Sequence, residues 1–153
     1  MRLAMKKNGF TLVELMITVA VVAILAMIAI PNYTQYVRRG NRTDATKTLT
    51  LDAQALERCY SQTFSYAPCA GVPAAGVPTA SVEGKYTVVI SIPDTSAGAP
   101  APPAPSYLIS AVPLAPSQVA DTACALFTLN TANTQYAQTS AAVANTQTCW
   151  GST

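Results

Sequence analysis

Glu14 is the only charged residue in the apolar run from Phe10 to Ile30. A charged carboxylate in the hydrocarbon of a bilayer costs about 2.5–3.5 kcal/mol on insertion scales. A helix of this length reaches about 31 Å, which is close to the thickness of that hydrocarbon. We therefore expect the run to span a membrane, and we expect Glu14 to have a function that requires a partner of opposite charge.

The residues just before Glu14 indicate where that partner comes from. Two lysines and an asparagine lead into Gly9–Phe10, and T-L-V-E then ends at Glu14. This segment resembles the prepilin motif of the type IV pilins. In that family, a membrane peptidase cuts after the glycine and methylates the new amine on the phenylalanine. The resemblance implies cleavage between Gly9 and Phe10 and N-methylation of Phe10.

Cleavage would create a cationic amine at Phe10, four residues before Glu14. The amine can neutralise Glu14 within one helix, or it can meet Glu14 of a neighbouring subunit. A buried charge without its partner is costly, and an intermolecular pair would also fix the register between subunits. We expect an assembly role for Phe10 and Glu14, together with Pro31 in the same helix.

The charges on either side of the run predict the orientation of the chain. Arg2, Lys6 and Lys7 precede the run, and basic residues on that side keep it cytoplasmic. The run is longer than the roughly 7–15 apolar residues of a cleavable secretory signal. The expected organisation is a leader at 1–9 that is removed on maturation, a transmembrane and assembly helix at 10–30, its continuation at 31–60, and a globular head at 61–153.

All four cysteines follow the run, which predicts disulfide bonds in an oxidising compartment. Three pairings are open, and we expect the pairing that is local in sequence, Cys59–Cys69 and Cys124–Cys149. The chain has no histidine and no pair of cysteines at zinc-finger spacing, which argues against zinc. Neither a metal nor a cofactor is expected.

The second part of the long helix carries one apolar stripe at three- and four-residue steps, formed by Ala45, Leu49, Ala53, Leu56 and Tyr60. Pro31 predicts a bend or a break in this helix, and Gly40 is a second weak point. Alternating segments predict four strands, at 86–92, 106–112, 123–130 and 134–140, with loops at 71–79 and 93–105. Strands joined by loops predict an antiparallel sheet. The expected fold class is α+β, with the second half of a long N-terminal helix packed against this sheet.

Phrases in the head extend the resemblance to the PilE-like or minor pilins. They are G-K-Y-T-V-V-I at 84–90, Y-L-I-S-A-V-P at 107–113, D-T-A-C-A-L-F-T-L at 121–129 and the closing Cys149–Trp150. The resemblance implies that Cys124–Cys149 bounds a C-terminal region exposed on the filament. Trp150 is expected to pack beside that disulfide, with an exposed ligand platform as the alternative.

The function implied by the resemblance is that of a structural subunit of a type IV pilus, which supports adhesion, twitching motility or DNA uptake. The implied partners are other pilins of the filament, the prepilin peptidase, and the bacterial inner membrane before assembly. The head would lie in the periplasm first and in the extracellular pilus afterwards.

Three other functions compete with the structural one. A DNA-binding minor pilin would need a basic surface, but past residue 48 only Arg58 and Lys85 face five acidic residues, a net charge of −3. A type II secretion pseudopilin often carries a calcium loop of carboxylates, and no such cluster is visible. An enzyme is not expected and no catalytic residue is assigned, because there is no histidine and no pair of carboxylates in one motif.

Overall fold

A computed structural model describes residues 10–92, 106–114 and 116–151. The leader at 1–9 and the proline-rich loop predicted at 93–105 lie outside the described residues. The described residues form two compact units, one that ends at Val37 and one that begins at Arg38.

The first unit contains the start of helix α1, Leu12–Thr63. Its large apolar side chains from Phe10 to Ile30 are exposed in the single chain, from 51% at Val21 to 77% at Met27. The most apolar 18-residue window has a mean hydropathy of 2.7, so this helix is long and apolar enough to cross a membrane. A helix that is apolar all round requires lipid or other protein around it.

The helical backbone of α1 continues through Pro31 and Gly40, so Pro31 does not break the helix, and the weak point expected at Gly40 is helical as well. Proline removes one backbone hydrogen bond from a helix. Polar side chains on either side of Pro31 bond to helix carbonyls here: Asn32 Nδ2 donates to the Ile28 oxygen at 3.0 Å, and Thr34 Oγ1 donates to the Pro31 oxygen at 2.9 Å. A bend at Pro31 stays a prediction.

The second unit contains one antiparallel sheet of five strands in the order β1-β2-β3-β4-β5. The α+β prediction is confirmed, with five strands in place of four. The strands are β1 Thr79–Ala80, β2 Tyr86–Ser91, β3 Leu108–Pro113, β4 Leu126–Asn130 and β5 Gln135–Gln138. Two short helices, α2 Pro116–Val119 and α3 Thr146–Trp150, were not predicted.

The core lies between one face of this sheet and the apolar stripe of α1. A single cross-strand row runs from Val88 to Ala111, Phe127 and Ala137, and all four side chains are buried. The stripe residues Ala45, Leu49, Ala53 and Leu56 are also buried, and they belong to the same hydrophobic cluster. The alternation in the strands and the three- and four-residue steps in α1 therefore identified the inward faces of the sheet and of the helix.

Two buried acids connect α1 to the rest of the head. Asp44 accepts hydrogen bonds from the Glu83 and Lys85 amides at 2.9 and 3.1 Å, and from the Ser81 hydroxyl. The Asp121 carboxylate accepts two hydrogen bonds from the Arg42 guanidinium, at 2.7 and 2.8 Å. The first set of bonds holds the turn between β1 and β2, and the second holds the segment between α2 and β4.

Candidate functional site

The first turn of α1 brings together Thr11 and Glu14, and Phe10 lies just before it. The Glu14 amide donates to Thr11 Oγ1 at 3.2 Å, and the Leu15 amide donates to the Thr11 oxygen at 3.2 Å. Thr11 therefore caps the helix, and Glu14 occupies the position that an acid takes in a capping box. The S/T-x-x-E signature in T-L-V-E is the sequence signal that could have predicted this role of Thr11.

The Phe10 side chain is 74% exposed, and Glu14 is exposed as well. Gly9 lies outside the described residues. Pro31 lies in the same helix, 17 residues after Glu14.

The second unit contains two disulfide bonds. Cys59 is bonded to Cys69 with a Cα–Cα distance of 5.9 Å, and Cys124 is bonded to Cys149 with a Cα–Cα distance of 5.6 Å. The first links the end of α1 to the segment after it. The second links α3 to the residues just before β4, and it lies next to Trp150.

A groove runs along the exposed side of α1 beside α3. It consists of two adjoining hollows of about 530 and 510 Å³ that share Thr43, Thr46 and Trp150. The first hollow also reaches Arg39, and the second also reaches Lys47. We call this feature the Trp150 groove. None of the described residues that line it is an Asp or a Glu.

Trp150 is held in a fixed position in this groove. Its indole Nε1–H donates to the Tyr136 oxygen at 3.0 Å, and its ring packs edge-on against Phe127 at 6.1 Å between ring centres. The preceding residue, Cys149, is buried and disulfide-bonded to Cys124. The indole itself is only half-buried, so part of the ring surface lies open in the groove.

The threonines of the groove offer oxygen acceptors. The Thr46 hydroxyl donates to the Thr43 oxygen at 3.3 Å, and the Thr50 hydroxyl donates to the Thr46 oxygen at 2.7 Å. The Thr43 hydroxyl donates in the same way to the Gly40 oxygen. Because each hydroxyl hydrogen is used within the helix, the free lone pairs of these oxygens can accept hydrogen bonds from a ligand.

The cations of the groove differ in their availability. Arg42 is 9% exposed, and Asp121 neutralises its charge. Arg39 and Lys47 are exposed, and they lie eight residues apart, which is about 12 Å along a helix. The groove can therefore attract an anion through Arg39 and Lys47, while Arg42 supports the structure. The net charge of −3 past residue 48 did not reveal this arrangement, because Arg39 and Lys47 precede residue 49.

Comparisons with known families match most of the chain. A model described as "Type IV minor pilin ComP, DNA uptake sequence receptor" matches residues 31–128, which is more than half of the sequence. The chain belongs to this type IV minor pilin family. A second model, the prokaryotic N-terminal methylation motif, matches residues 4–30, which include Gly9, Phe10 and Glu14.

Curated relatives from several bacteria are also pilins or fimbrial proteins. Fimbrial protein EcpC of Eikenella corrodens is 38% identical over 95 residues, covering 59% of this chain and 58% of the relative. The type IV major pilin protein PilE of Neisseria gonorrhoeae is 31% identical over 86 residues, covering 56% of this chain and 51% of the relative. Prepilin peptidase-dependent protein D of Escherichia coli strain K12 is 38% identical over 66 residues, covering 43% and 45%. The chain thus spans about half the length of these relatives.

Among solved structures, a type IV pilin from Shewanella oneidensis is similar with a TM-score of 0.44 and 23% sequence identity. The alignment covers 64% of this chain and 89% of that pilin.

Proposed function

We propose that this chain is a structural subunit of a type IV pilus. It would be inserted in the bacterial inner membrane as a prepilin, cut after Gly9 by the prepilin peptidase, methylated on the Phe10 amine and polymerised through its N-terminal helix. The observation that carries this proposal is the exposed apolar surface of α1 from Phe10 to Ile30, interrupted only by Glu14. The match of residues 4–30 to the methylation motif supports the processing step.

Each part of the chain would have its own function in a pilus subunit. The leader at 1–9 orients the chain and is removed, and 10–30 anchors it in the membrane before assembly. Residues 31–60 continue the helix into the head at 61–153. The head would be periplasmic before assembly and extracellular in the pilus, where other pilins are its partners. The minor pilin model on residues 31–128 favours a pilus over the pseudopilus of a secretion system.

The physical reason for assembly is the replacement of lipid around the helix by other helices of the filament. In that dry environment, Glu14 needs the Phe10 amine of its own chain or of a neighbour, since an unpaired buried charge is strongly destabilising. Adhesion or twitching motility would then follow from the filament as a whole.

The test is to replace Glu14 with valine. Glu14→Val should leave the membrane-inserted, cleaved subunit at its normal level and should abolish its incorporation into sheared filaments. Asp52→Asn is a matched control, because it removes a carboxylate of the same helix in its continuation at 31–60. Normal incorporation of Glu14→Val would contradict the assembly role.

A second candidate function is DNA binding, and the description of the family model on residues 31–128 favours it. The Trp150 groove supports this function, since Arg39 and Lys47 are exposed there and the described lining has no carboxylate. Phosphate contacts of this kind supply most of the non-specific affinity for DNA, and they make it dependent on salt.

The DNA-binding candidate is tested by joint replacement of Arg39 and Lys47 with alanine. Loss of two phosphate contacts should weaken binding and lower the slope of log affinity against log salt by about 2. Arg58→Ala is the matched control, because Arg58 is an exposed arginine of the same helix outside the groove lining. The absence of any DNA binding by the purified full chain at low salt would exclude this candidate.

A further inference from the structure

We propose that the Trp150 groove binds nucleic acid as an unpaired strand, with one nucleobase stacked on the open face of Trp150. This inference rests on the DNA-binding candidate above and specifies the form of the ligand. It would make the groove a site for a displaced, frayed or single-stranded segment, separate from any surface that contacts a duplex.

The indole of Trp150 lies where the two hollows of the groove meet. Trp150 lines both hollows, whereas Arg39 lines only the first and Lys47 only the second. The aromatic ring therefore lies between two exposed cations. A positive charge on either side of a stacking surface is the arrangement by which proteins hold a single strand, since the backbone follows the charges while a base covers the ring.

The indole ring of Trp150 is held in place from several sides. The bond from Nε1 to the Tyr136 oxygen, the edge contact with Phe127 and the disulfide at Cys149 hold the indole before any ligand arrives. A surface that is already ordered loses little conformational entropy on binding. The face of a base in a duplex is covered by its neighbours, so a fixed ring of this kind can stack only on a base that has left the stack.

The threonines of the groove present hydrogen-bond acceptors to a ligand. Their hydroxyl hydrogens are used on helix carbonyls, so Thr43, Thr46 and Thr50 present acceptors. The imino hydrogen of a base, and the amino hydrogen that forms the Watson–Crick pair, are available to a protein only when the base is unpaired. The groove thus offers acceptors for donors that a duplex hides.

The chain contains one tryptophan, so its intrinsic fluorescence reports on Trp150 alone. The experiment titrates the full chain in detergent micelles with a short mixed-sequence single strand, and separately with the duplex formed with its complement. We expect the single strand to quench the fluorescence and the duplex to bind without comparable quenching. Trp150→Ala should weaken single-strand binding by about tenfold, and Trp150→Phe should recover most of that loss. Far-ultraviolet circular dichroism and thermal melting check that both variants are folded.

The outcomes separate this inference from the function on which it rests. Binding of either DNA form without quenching, with Trp150→Ala unchanged in affinity, would overturn base stacking and leave DNA binding intact. Tighter binding and stronger quenching by the duplex would overturn the preference for an unpaired strand. Failure of both forms to bind at low salt would exclude the DNA-binding candidate together with this inference. Anisotropy of a labelled strand provides the affinity in each case.

Discussion

Arg42 and Asp121 form a buried two-point ion pair between α1 and the segment that precedes β4. Nε and Nη2 of Arg42 donate to the two carboxylate oxygens at 2.7 and 2.8 Å, and the side chains are only 11% and 5% exposed. Arg42 Nη1 also approaches the Thr148 oxygen at 3.4 Å, while Gln118 Nε2 donates to Asp121 at 3.1 Å. One ion pair therefore holds α1, α2 and α3 together beside the Trp150 groove.

Removal of one partner of this pair should be strongly destabilising. Asp121→Ala leaves the Arg42 charge buried and unpaired, and we expect a loss of about 3–5 kcal/mol in the free energy of unfolding. Urea unfolding of the full chain in detergent measures the loss. Arg39→Ala, an exposed arginine one turn away, is the control and should change stability by less than about 0.5 kcal/mol. A loss below about 1 kcal/mol for Asp121→Ala would contradict the structural role of the pair.

The double variant Arg42→Met with Asp121→Leu distinguishes two contributions to the free energy of unfolding. One is the stabilisation by the ion pair, and the other is the destabilisation by a buried charge that has lost its partner. Because replacement of a buried ion pair by apolar residues is often neutral, the double variant should be more stable than Asp121→Ala alone. If the two variants were equally unstable, the loss would come from packing and not from the unpaired charge.

Asp44 should control the order of the turn from Ser81 to Lys85. Asp44→Ala removes the acceptor for the Glu83 and Lys85 amides. Among the described residues, the Val82 amide, which donates to Thr48 Oγ1 at 3.2 Å, would then make the remaining hydrogen bond from this turn to α1. Amide hydrogen exchange at Glu83 and Lys85 should accelerate far more than exchange in β3. Asp44→Asn keeps one acceptor oxygen and should have an intermediate effect. Unchanged exchange in Asp44→Ala would show that the turn is held by other contacts.

Asp52 predicts a pH dependence of stability. Burial raises the pKa of this carboxyl above its ordinary value of 3.8, because desolvation disfavours the charged form. A carboxyl with a raised pKa in the folded state destabilises the fold when it is charged. Stability therefore decreases as the pH rises from 3.8 through the folded-state pKa, and this destabilisation is absent below pH 3.8. Asp52→Asn should therefore raise the melting temperature at pH 7, and the gain should vanish at low pH. Glu83→Gln, at an exposed position, is the control. A melting temperature of Asp52→Asn that is equal to or below that of the parent at neutral pH would contradict this account.

The disulfide between Cys124 and Cys149 should be required for the shape of the groove. Its cysteines are 25 positions apart in the sequence, whereas Cys59 and Cys69 are 10 positions apart. On the chain-entropy model, removal of either bond costs roughly 3 kcal/mol, with the larger cost for the longer loop. Replacement of Cys124 and Cys149 by serine should also shift the Trp150 emission to the red, since the indole would become more exposed. The same replacement at Cys59 and Cys69 should leave the emission unchanged, and equal shifts in both variants would argue against a local effect.

The sequence predicted those features that depend on local pattern. The alternation of Tyr86, Val88 and Ile90 identified the inward face of β2, and the three- and four-residue steps from Ala45 identified the stripe of α1. β1 was missed because Thr79–Ala80 is too short to show an alternation. A break at Pro31 was expected because proline removes a helix hydrogen bond, but one missing bond does not interrupt this helix.

Features that depend on distant contacts were not predictable from pattern. Arg42 and Asp121 lie 79 residues apart, and Asp44 reaches residues 37 to 41 positions away. The groove combines Thr43 and Thr46 with Trp150, which comes about a hundred residues later. The net charge past residue 48 did not show its basic character, since Arg39 and Lys47 precede that part of the chain and come beside Trp150 only in the fold.

Mass spectrometry of filaments sheared from cells that express this chain tests the proposed function most directly. In the parent filaments, we predict a peptide that begins with N-methylated Phe10, at an abundance that shows incorporation of the subunit. In Glu14→Val cells, this peptide should be lost from the filaments while the membranes still contain the processed chain. Retention of residues 1–9 in the mature protein, or absence of the chain from the filament fraction while it is present in membranes, would contradict the account.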